Sequence, residues 1–400
     1  MPASTSTTCP VGAGRDDRKS AGLAATRAKP VPGTTTVGSF GLGRDILRSP
    51  AMKQAGMGAE QVVIDDPSHA PVFFLDGEEH KRKRIALARF FTPKAIDTRH
   101  AAVMEATTDE LLAELRAKGS GDLDRMAWTL AVIVAGTIVG LTDDKARIPA
   151  MANRIEGVLI LTRLFRMKPV ARLFGTILGR VRVMHFLFRD VRPAIKARRA
   201  TPREDIISHL VAEGYSEPAI LIECMTYATA GMATTREFIS MVAWHLFENA
   251  ALRQRYLDGN EAEQLAILEE ILRVEPVANF LYRRSEDAVP AALAGEVAPR
   301  VTYAIDMRSA NLDEAAAGAC PFMIDPDRAM ATNAGGSLLA FGDGAHRCPG
   351  AQVALGETRI FIDRLFRVPG IRLVKTPRMT WNDALMSYEL RDVLVACDVA

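Results

Sequence analysis

The sequence predicts a mainly α-helical fold with small β-sheets, of the α+β class. Two observations support this prediction. Apolar residues recur at helical spacing in several stretches, such as ATTDELLAELRAK, EDIISHLVAEG and EAEQLAILEEILRV. Strand-like stretches are short and few, namely EQVVID, VFFL, RVTYAI and GIRLVK. Many helices with a few short strands indicate a helical body with small sheets at one side.

The longest predicted helix runs from Pro218 to Phe247. It begins at SEP, a typical helix start with proline in the first turn. Its middle reads YATAGMATTREF, where Gly231 and two adjacent threonines are weak helix formers. A locally weakened helix can bring its backbone close to a ligand, and the alternative is a glycine tolerated for packing.

The composition is that of an ordinary globular protein. The chain has 400 residues, 48% hydrophobic and 24% charged, with a net charge of +2, so general nucleic-acid binding is not indicated. Five scattered cysteines do not resemble a disulfide framework and favour a reducing cytoplasm. No secretory signal begins the chain, and the longest uncharged run, Met126–Thr142, is shorter than a membrane span. We expect a flexible arm over residues 1–35 and a single domain over residues 36–400.

The stretch FGDGAHRCPG places Cys348 in a glycine-rich turn. A cysteine binds a metal ion as the thiolate, so its neighbours must favour the anion. Arg347 adds positive potential, and the helical pattern ALGETRIFIDRLF puts the sulfur near a helix N-terminus. The glycines that let backbone N–H groups turn towards the sulfur are Gly342, Gly344 and Gly350. Phe341 can cover one flank, and the alternative is an ordinary loop with a free thiol.

Two further pairs are weak signals taken alone. Glu270 and Arg273 in EEILR share a helix face, for which a solvated salt bridge is the ordinary explanation. His80 and Arg84 in HKRKR also share a face, suited to holding a carboxylate by charge-assisted hydrogen bonds. An exposed basic face is the alternative for that pair. The order and spacing of these signals are more informative than any one of them.

Taken together, these features resemble the cytochrome P-450 family of haem-thiolate monooxygenases, in its soluble bacterial form. The similarity extends from about Gly43 to the C-terminus. FGDGAHRCPG matches the family's haem-binding loop, F-G-x-G-x-H-x-C-x-G, at every fixed position. EEILR contains the family's E-x-x-R pair, and AGMATT matches its oxygen-binding helix. DGEEHKRKRIALARFFTP resembles the segment beside the haem, and FMIDPDRA resembles the loop before the cysteine motif.

The resemblance implies a cytochrome P-450 fold, with the long helix on the distal side of haem b and the cysteine loop on its proximal side. It implies Cys348 as the iron ligand, whose thiolate favours O–O cleavage. Glu270 and Arg273 would stabilise the core near the cysteine loop. The residues that fall where the family contacts the haem or its propionates are His80, Arg84, Arg283, His346, Phe341, Gly342 and Gly350.

The long helix departs from the family's pattern at one catalytic position. The family's order of small residue, Gly, any residue, acid and Thr reads here Ala230, Gly231, Met232, Ala233 and Thr234. Alanine thus replaces the acid that helps relay protons to the oxygen site. Thr234 can still donate or accept a hydrogen bond. Ordered water, or Glu237 three residues further on, is a candidate to complete the route.

The implied substrate pocket draws on the 65–75 region, the long helix and two later loops. Its candidate residues are Met225, Thr229, Val277, Ala278, Phe280, Leu385 and Met386. Their mostly apolar character suits a hydrophobic substrate such as a terpenoid, a steroid, a fatty acyl or an aromatic compound.

Residues 158–189 correspond to the family's lid over the substrate channel. They include seven Lys or Arg and no Asp or Glu. We favour the basic outer face of a pair of amphipathic helices as the explanation. The alternative is attraction to an anionic membrane surface or to an acidic substrate.

We expect an O2-dependent monooxygenase that receives electrons from a separate ferredoxin and an NAD(P)H-dependent ferredoxin reductase. The chain contains no Rossmann G-x-G-x-x-G unit after a strand. The candidate docking face for an acidic ferredoxin, or else an ordinary solvated surface, comprises Lys81, Arg82, Lys83 and Arg89. A peroxide-driven peroxygenase is the nearest alternative, since Ala233 weakens the usual proton route. A non-catalytic haem-thiolate sensor or binder is the alternative from another class.

Overall fold

The computed structural model describes residues 30–56, 69–141, 144–160, 169–289, 291–330, 335–382 and 386–399. Residues 1–29 of the predicted arm, the EQVVID stretch and Leu385 lie outside the described residues, as does much of the basic 158–189 region. The arm over residues 1–35 and the single domain over residues 36–400 therefore stay predictions.

α-Helices account for most of the described chain. The helices of the first half are α1 Phe40–Arg48, α2 Gly77–Ala88, α3 Ala101–Lys118, α4 Leu123–Val139, α5 Ile148–Ile160, α6 Pro169–Phe186, α7 Arg192–Ala200 and α8 Ile206–Ala212. Those of the second half are α9 Glu217–Tyr227, α10 Thr234–Glu248, α11 Ala250–Asp258, α12 Glu261–Val274, α13 Met307–Asn311, α14 Glu314–Ala317 and α15 Ala351–Phe366. Pro93–Ala95 adds one helical turn between α2 and α3. Every helix in the described ranges is too short or too polar to cross a lipid bilayer.

The strands form three small sheets. They are β1 Thr35–Val37, β2 Met52–Ala55, β3 Ser120–Asp122, β4 Phe280–Ser285, β5 Thr302–Asp306, β6 Arg372–Leu373, β7 Arg378–Asn382, β8 Ser387–Arg391 and β9 Leu394–Ala396. The sheet orders are β1-β5-β4-β2, β3-β9-β6 and the hairpin β7-β8, and the β1–β5 pairing is parallel while the others are antiparallel. The predicted α+β class is confirmed.

Two of the predicted strand stretches are confirmed and one is wrong. RVTYAI contains β5 and GIRLVK contains β6. VFFL instead forms a 3-10 turn over Val72–Phe74, in which the Phe74 N–H donates to the Pro71 carbonyl at 2.9 Å. The ring of Pro71 fixes its own φ near −52°, which suits a turn as well as a strand. In addition, none of the described strands pairs with Val72–Phe74.

The predicted long helix spans α9, a π-helical segment Ala228–Ala233 and α10, so it runs without a break from Glu217 to Glu248. The π segment coincides with the stretch predicted to be weak. Two hydroxyls compete there for backbone carbonyls, since Thr234 Oγ1 donates to Ala230 O and Thr235 Oγ1 to Gly231 O, both at 2.7 Å. Such bonds to the preceding turn loosen the helical ladder, and a π turn is one result. We call this continuous element the distal helix.

The distal helix forms the centre of the main hydrophobic core. In α10 the side chains from Thr235 to Leu246 are all buried, and α10 packs against α4, α15 and β8. A second apolar cluster lies between α1, β1 and β5, and a third small one joins β4 to Met386. A helix buried all round has its position fixed by its neighbours, so the face of the distal helix beside the cysteine turn is held rigidly.

The cysteines differ from expectation at one position. Cys224, Cys348 and Cys397 carry free thiols, as expected. Cys320 is disulfide-bonded, which departs from the reducing surroundings that the scattered cysteines favour.

Candidate active site

The cysteine turn connects a 3-10 turn, Gly344–His346, to the first residue of α15. The Cys348 N–H donates to the Phe341 carbonyl at 2.8 Å, which closes the loop. Gly342 and Gly344 have φ of +69° and +66°, a region that favours glycine. A Cβ on Gly344 would lie 2.5 Å from the Leu47 carbonyl oxygen of α1. The turn thus needs glycine both for its backbone conformation and for its close approach to α1.

The environment of the Cys348 sulfur mixes opposing effects. Burial raises the pKa of the thiol, while a hydrogen bond from the Gly350 N–H and the charges of Arg84 and Arg347 lower it. Burial dominates, so the net pKa shift is upward. The sequence prediction that the neighbours favour the thiolate was right in direction, but they do not outweigh burial. A metal ion bound to the sulfur would displace this proton outright.

Four basic side chains predicted from separate motifs come together beside the turn. The imidazole rings of His80 and His346 stack with their centres 4.0 Å apart. Arg84 and Arg283 both lie close enough to lower the pKa of these histidines. Asp76 is the carboxylate among them, and it faces His346 Nε2 at 3.3 Å. The four basic groups are thus matched by one acidic group in the immediate cluster.

The pKa values of this cluster reflect the burial of its basic groups, which keeps the histidines neutral and leaves the arginines as its cations. Burial lowers the pKa of His80 to about 4, with further lowering by His346 and Arg84. Burial also lowers the pKa of Arg283 to about 10, although Asp76 opposes this shift. Burying cations without enough anions is unfavourable. The cluster is therefore built to accept additional negative charge.

The distal helix presents different residues to its open side and to the core. Ala230 is exposed and Thr234 half-buried, whereas Met232 and Ala233 are buried in the main core. The Thr234 hydroxyl uses its proton in the bond to Ala230 O, so its lone pairs remain available to accept a hydrogen bond. Ala233, at the position of the family's acid, points into apolar surroundings.

Glu237 does not supply the missing acid. Its Oε1 accepts from Arg391 Nη1 at 2.7 Å, and its Oε2 accepts from the Leu390 N–H at 2.7 Å. The carboxylate therefore anchors β8 on the buried side of α10. The suggestion that Glu237 approaches the face of Thr234 is wrong, because both of its oxygens bind the C-terminal hairpin.

A cavity of about 220 Å³ joins α2, the distal helix and the cysteine turn. Its lining residues are Val72, Arg84, Leu87, Ala88, Phe91, Thr92, Tyr227 and Pro349. Pro349 follows Cys348 directly, and Tyr227 is the last residue before the π segment. The cavity therefore places the neighbour of the thiol opposite the distal helix, with the Arg84 guanidinium in its wall.

The predicted substrate-pocket residues are not gathered around this cavity. Phe280 and Met386 pack together in the small third cluster, and Val277 is buried in the main core. Ala278 forms an isolated bridge with Ser387 of β8. The two predicted residues on the distal helix, Met225 and Thr229, are half-buried, and the Thr229 hydroxyl donates to Met225 O at 2.8 Å. Of the predicted pocket regions, the 65–75 stretch contributes Val72 to the cavity lining and the distal helix contributes Tyr227.

The Glu270–Arg273 pair is a buried bidentate ion pair and not a solvated salt bridge. Arg273 Nε and Nη2 donate to the two oxygens of Glu270 at 2.7 Å each, and Arg273 is fully buried. Sequence reasoning missed its third member, Arg328, whose Nε donates to Glu270 Oε1 at 2.8 Å. Arg328 lies in FMIDPDRA, the stretch already noted before the cysteine motif, so that stretch contained the signal. The trio ties α12 to the segment leading to the cysteine turn.

Lys83 is the second residue that sequence reasoning misplaced. It was grouped with Lys81, Arg82 and Arg89 as a docking face, and those three are exposed. Lys83 is instead buried, and its Nζ donates to Glu223 Oε2 of α9 at 2.8 Å. The candidate docking face therefore loses Lys83.

Comparisons with known proteins agree on one family. No protein-family model matches the chain. Cytochrome P450 107B1 of Saccharopolyspora erythraea is 27% identical over 337 residues, covering 80% of this chain and 75% of that protein. Steroid C26-monooxygenase of Mycobacterium tuberculosis is 27% identical over 323 residues, covering 78% and 81%. The crystal structure of CalO2 superposes with a TM-score of 0.76 at 21% identity, covering 96% of each chain.

These similarities support a bacterial-type cytochrome P450. A P450BioI structure, determined with an acyl carrier protein bearing hexadec-9Z-enoic acid, shares the fold at a TM-score of 0.73 and 21% identity, covering 94% of this chain and 96% of that one. This cytochrome P450 is of the bacterial type, and members of its family are monooxygenases that bind haem b.

The residues of this cytochrome P450 fit haem b. A free, half-buried thiol is the donor that a haem-thiolate protein needs. The two guanidinium groups of Arg84 and Arg283 exceed the one carboxylate, Asp76, and the neutral imidazoles of His80 and His346 add N–H donors, so the cluster suits the two negative charges of the haem propionates. Both features follow from the charges and hydrogen bonds of the chain itself.

Proposed function

We propose that this cytochrome P450 inserts one oxygen atom from O2 into a hydrophobic small molecule, with electrons from a separate ferredoxin and ferredoxin reductase. The observation that carries the proposal is the position of Cys348. Its free thiol lies in a closed turn next to a cavity wall shared with the distal helix. The same cavity wall contains Arg84, one of the four basic groups of the cluster.

We assign the iron ligand to Cys348 and the propionate contacts to His80, Arg84, Arg283 and His346. Haem b would supply the activation of O2 when bound through a thiolate. The protein's part at the sulfur is to exclude water by burial and to donate the Gly350 N–H to it. At the propionates, burial of the basic groups strengthens each charge-assisted hydrogen bond. Phe341, Gly342 and Gly350 would form the backbone and apolar frame of the loop.

On the distal side we assign Thr234 the role of holding a hydrogen bond at the oxygen site. Its hydroxyl proton is committed to Ala230 O at 2.7 Å, so its oxygen can accept a hydrogen bond from a water. Ala230 and Gly231 leave space beside the helix there, because Ala230 has a small side chain and Gly231 has none. Because Ala233 is apolar and buried, ordered water would carry the proton beyond Thr234.

The substrate class is inferred from the mostly apolar walls near the distal helix. Val72, Leu87, Ala88 and Phe91 form the apolar part of the described cavity, and its other lining residues are Arg84, Thr92, Tyr227 and Pro349. Such a lining suits a terpenoid, a steroid, a fatty acyl or an aromatic compound. A steroid C26-monooxygenase is among the relatives, which supports the steroid as the first substrate to test. We place the enzyme in the cytoplasm, where ferredoxin systems supply electrons.

The experiment is turnover of a panel of these compounds by the purified holoprotein with ferredoxin, ferredoxin reductase and NAD(P)H. Compounds would first be ranked by their shift of the haem from low spin to high spin. We expect a monooxygenated product that carries label from 18O2. Ligand binding with a spin-state shift but no product under any electron supply would instead indicate a sensor or binder.

A peroxide-driven peroxygenase is the second candidate, and the buried Ala233 favours it. Neither Ala233 nor Glu237 offers a proton to the face of Thr234. Hydrogen peroxide already brings the protons that an O2-dependent route must deliver. Product formation with peroxide that exceeds the rate with ferredoxin, reductase and NAD(P)H would select this candidate.

A further inference from the structure

The end of α6 carries an unusual concentration of exposed apolar side chains. Of the large apolar residues that are exposed in the described parts of the chain, five fall between residues 177 and 188. They are Ile177 at 55%, Leu178 at 46%, Val181 at 60%, Met184 at 42% and Phe188 at 49% exposure. The others, Val31, Ile85, Val374 and Val399, are scattered over the sequence. Single exposed apolar residues are ordinary, but a contiguous group marks an interaction site.

The spacing places these side chains on one face. Ile177, Val181, Met184 and Phe188 follow one another at intervals of four, three and four residues, which is the repeat of one helix face. The same element is also buried on its other side, where Phe186 is 1% and Leu187 7% exposed. The helix is therefore apolar on two opposite sides, and the core accounts for one of them.

The charges around the exposed face are positive. Arg180 and Arg189 are exposed next to the apolar side chains, and the Arg192 guanidinium lies 4.6 Å from the centre of the Phe188 ring. The first acidic residue after the stretch, Asp190, is buried and accepts two hydrogen bonds from Arg154, at 2.6 and 2.7 Å. Glu217 pairs with Arg192 at 2.8 Å and lies at the start of α9. Because Asp190 is paired with Arg154, it does not neutralise the charge of Arg180 or Arg189.

We propose that this face docks on an anionic lipid surface. We name it the α6 patch, comprising Ile177, Leu178, Val181, Met184 and Phe188 with Arg180 and Arg189. A helix with an apolar stripe bordered by arginines lies in the plane of a bilayer interface, with its apolar side chains among the acyl chains and its cations at the phosphates. The patch projects from α6 and from the π-helical segment Leu187–Val191 that continues it. One continuous helical surface suits a flat bilayer more than a helix or peptide that needs a groove. The negative charge of anionic lipid also complements the positive charge of the α6 patch.

The test is co-sedimentation of the intact holoprotein with vesicles of phosphatidylglycerol and phosphatidylcholine, compared with phosphatidylcholine vesicles. We expect binding to the anionic vesicles, weakening as salt is raised because surface charges are screened. Val181→Glu should weaken binding at least tenfold, and Arg180→Ser or Arg189→Ser about fivefold each. Ile85→Glu is the matched control, since Ile85 is 67% exposed on α2, outside the patch, and its binding should not change.

The haem spectrum and Tm of each variant would establish that it is folded, as expected for exposed positions. The proposal is overturned if the folded wild-type holoprotein does not bind anionic vesicles, or if Ile85→Glu weakens binding as much as Val181→Glu. Concentration-dependent self-association that Val181→Glu abolishes, without vesicle binding, would also overturn it and make a second copy of the chain the occupant. None of these outcomes depends on catalysis, so they leave the proposed function untouched.

Discussion

Lys83 of α2 and Glu223 of α9 form a buried ion pair, with Nζ and Oε2 separated by 2.8 Å. Lys83 also donates to the Ala70 carbonyl at 2.8 Å, and its Nζ lies 4.8 Å from the centre of the Tyr215 ring. Lys83 directly precedes Arg84 in the sequence. The pair therefore fixes α2, with its two predicted propionate contacts, His80 and Arg84, relative to the distal helix.

Glu223→Gln is expected to lower the free energy of unfolding by about 3–5 kcal/mol, because it leaves a buried lysine charge without a partner. Lys83→Met combined with Glu223→Leu should cost much less, since neither charge is then left alone. The measurement is denaturant unfolding of the holoprotein. Lys81→Met is the control, because Lys81 is exposed and its side chain has a long contact of 3.8 Å with Glu78. A loss for Glu223→Gln no greater than for Lys81→Met would contradict the importance of the pair.

Thr234→Ala is expected to raise the fraction of NAD(P)H electrons that end in hydrogen peroxide several-fold, because the hydrogen bond at the oxygen site is lost. Thr235→Ala is a closely matched control. Its hydroxyl makes the same kind of bond, to Gly231 O at 2.7 Å, but the side chain is buried. Thr235→Ala should therefore leave coupling near that of the wild type. Peroxide and product are both measured per NAD(P)H consumed, and equal coupling in the two variants would remove Thr234 from the proton route.

Cys348→Ser is expected to abolish the absorption band of a carbon monoxide complex with thiolate-ligated haem. The control is Cys397→Ser, since Cys397 is also a free thiol but is buried away from the cysteine turn, where its Sγ donates to Leu115 O of α3 at 3.6 Å. That variant should keep the band. The measurement is the reduced carbon monoxide difference spectrum, and retention of the band in Cys348→Ser would refute the assignment of the ligand.

The buried carboxyl of Glu357 in α15 predicts how the stability of the fold depends on pH. Burial raises the pKa of its carboxyl from 4.5 to about 8, and its Oε1 has no hydrogen-bond partner among the described residues. Between these two values the folded chain holds a proton that the unfolded chain releases, so stability falls as pH rises through that window. Glu357→Gln removes this loss. The variant should have a Tm equal to the wild type near pH 5 and higher by roughly 2–5 °C near pH 8.5.

The Tm would be followed by calorimetry or circular dichroism across that pH range. Glu213→Gln serves as the control, because Glu213 is exposed and its replacement should leave the pH profile unchanged. A parallel pH profile for wild type and Glu357→Gln would show that the buried carboxyl does not titrate as described.

Ala233→Asp places an acid at the family's position, but we do not expect it to restore the acid's function. Ala233 is 1% exposed in the apolar core, so an aspartate there would be buried, and Arg236 three residues on is already paired with Glu156 and Glu237. The unfolding free energy should fall by about 2 kcal/mol or more, with no improvement in coupling. Gly231→Ala is a useful comparison, because a Cβ on Gly231 would meet nothing within 4 Å and its cost should be smaller. Improved coupling in Ala233→Asp at unchanged stability would contradict this account.

Sequence reasoning succeeded where a function depends on neighbouring residues in one motif. The cysteine turn, the E-x-x-R pair and the weak middle of the distal helix are local patterns, and the structure shows each as a closed turn, a bidentate pair and a π segment. It failed where the partner is distant in the sequence. Lys83 was read as a surface residue because Glu223, 140 positions away, cannot be paired with it from spacing alone.

The same limit explains Glu237, Arg328 and the substrate pocket. Glu237 binds a hairpin 153 positions further on, and Arg328 reaches Glu270 across 58 positions. Pocket residues come from several loops whose packing decides which of them meet, as the separate clusters of Val277 and Phe280 show. Periodicity identifies the apolar face of a helix or strand, but it does not show which other element that face packs against.

The surplus of basic groups around Asp76 has a consequence for how cells make this protein. The buried guanidinium groups of Arg84 and Arg283 have only Asp76 to offset them in this cluster until an anionic cofactor arrives. Any ligand that binds only the folded chain adds to its stability by mass action. Newly synthesised chains in a cell starved of iron or porphyrin would therefore spend longer partly unfolded, where proteases remove them. The abundance of the enzyme would follow the supply of haem, and its level in a culture would report on the nutritional state of the cell.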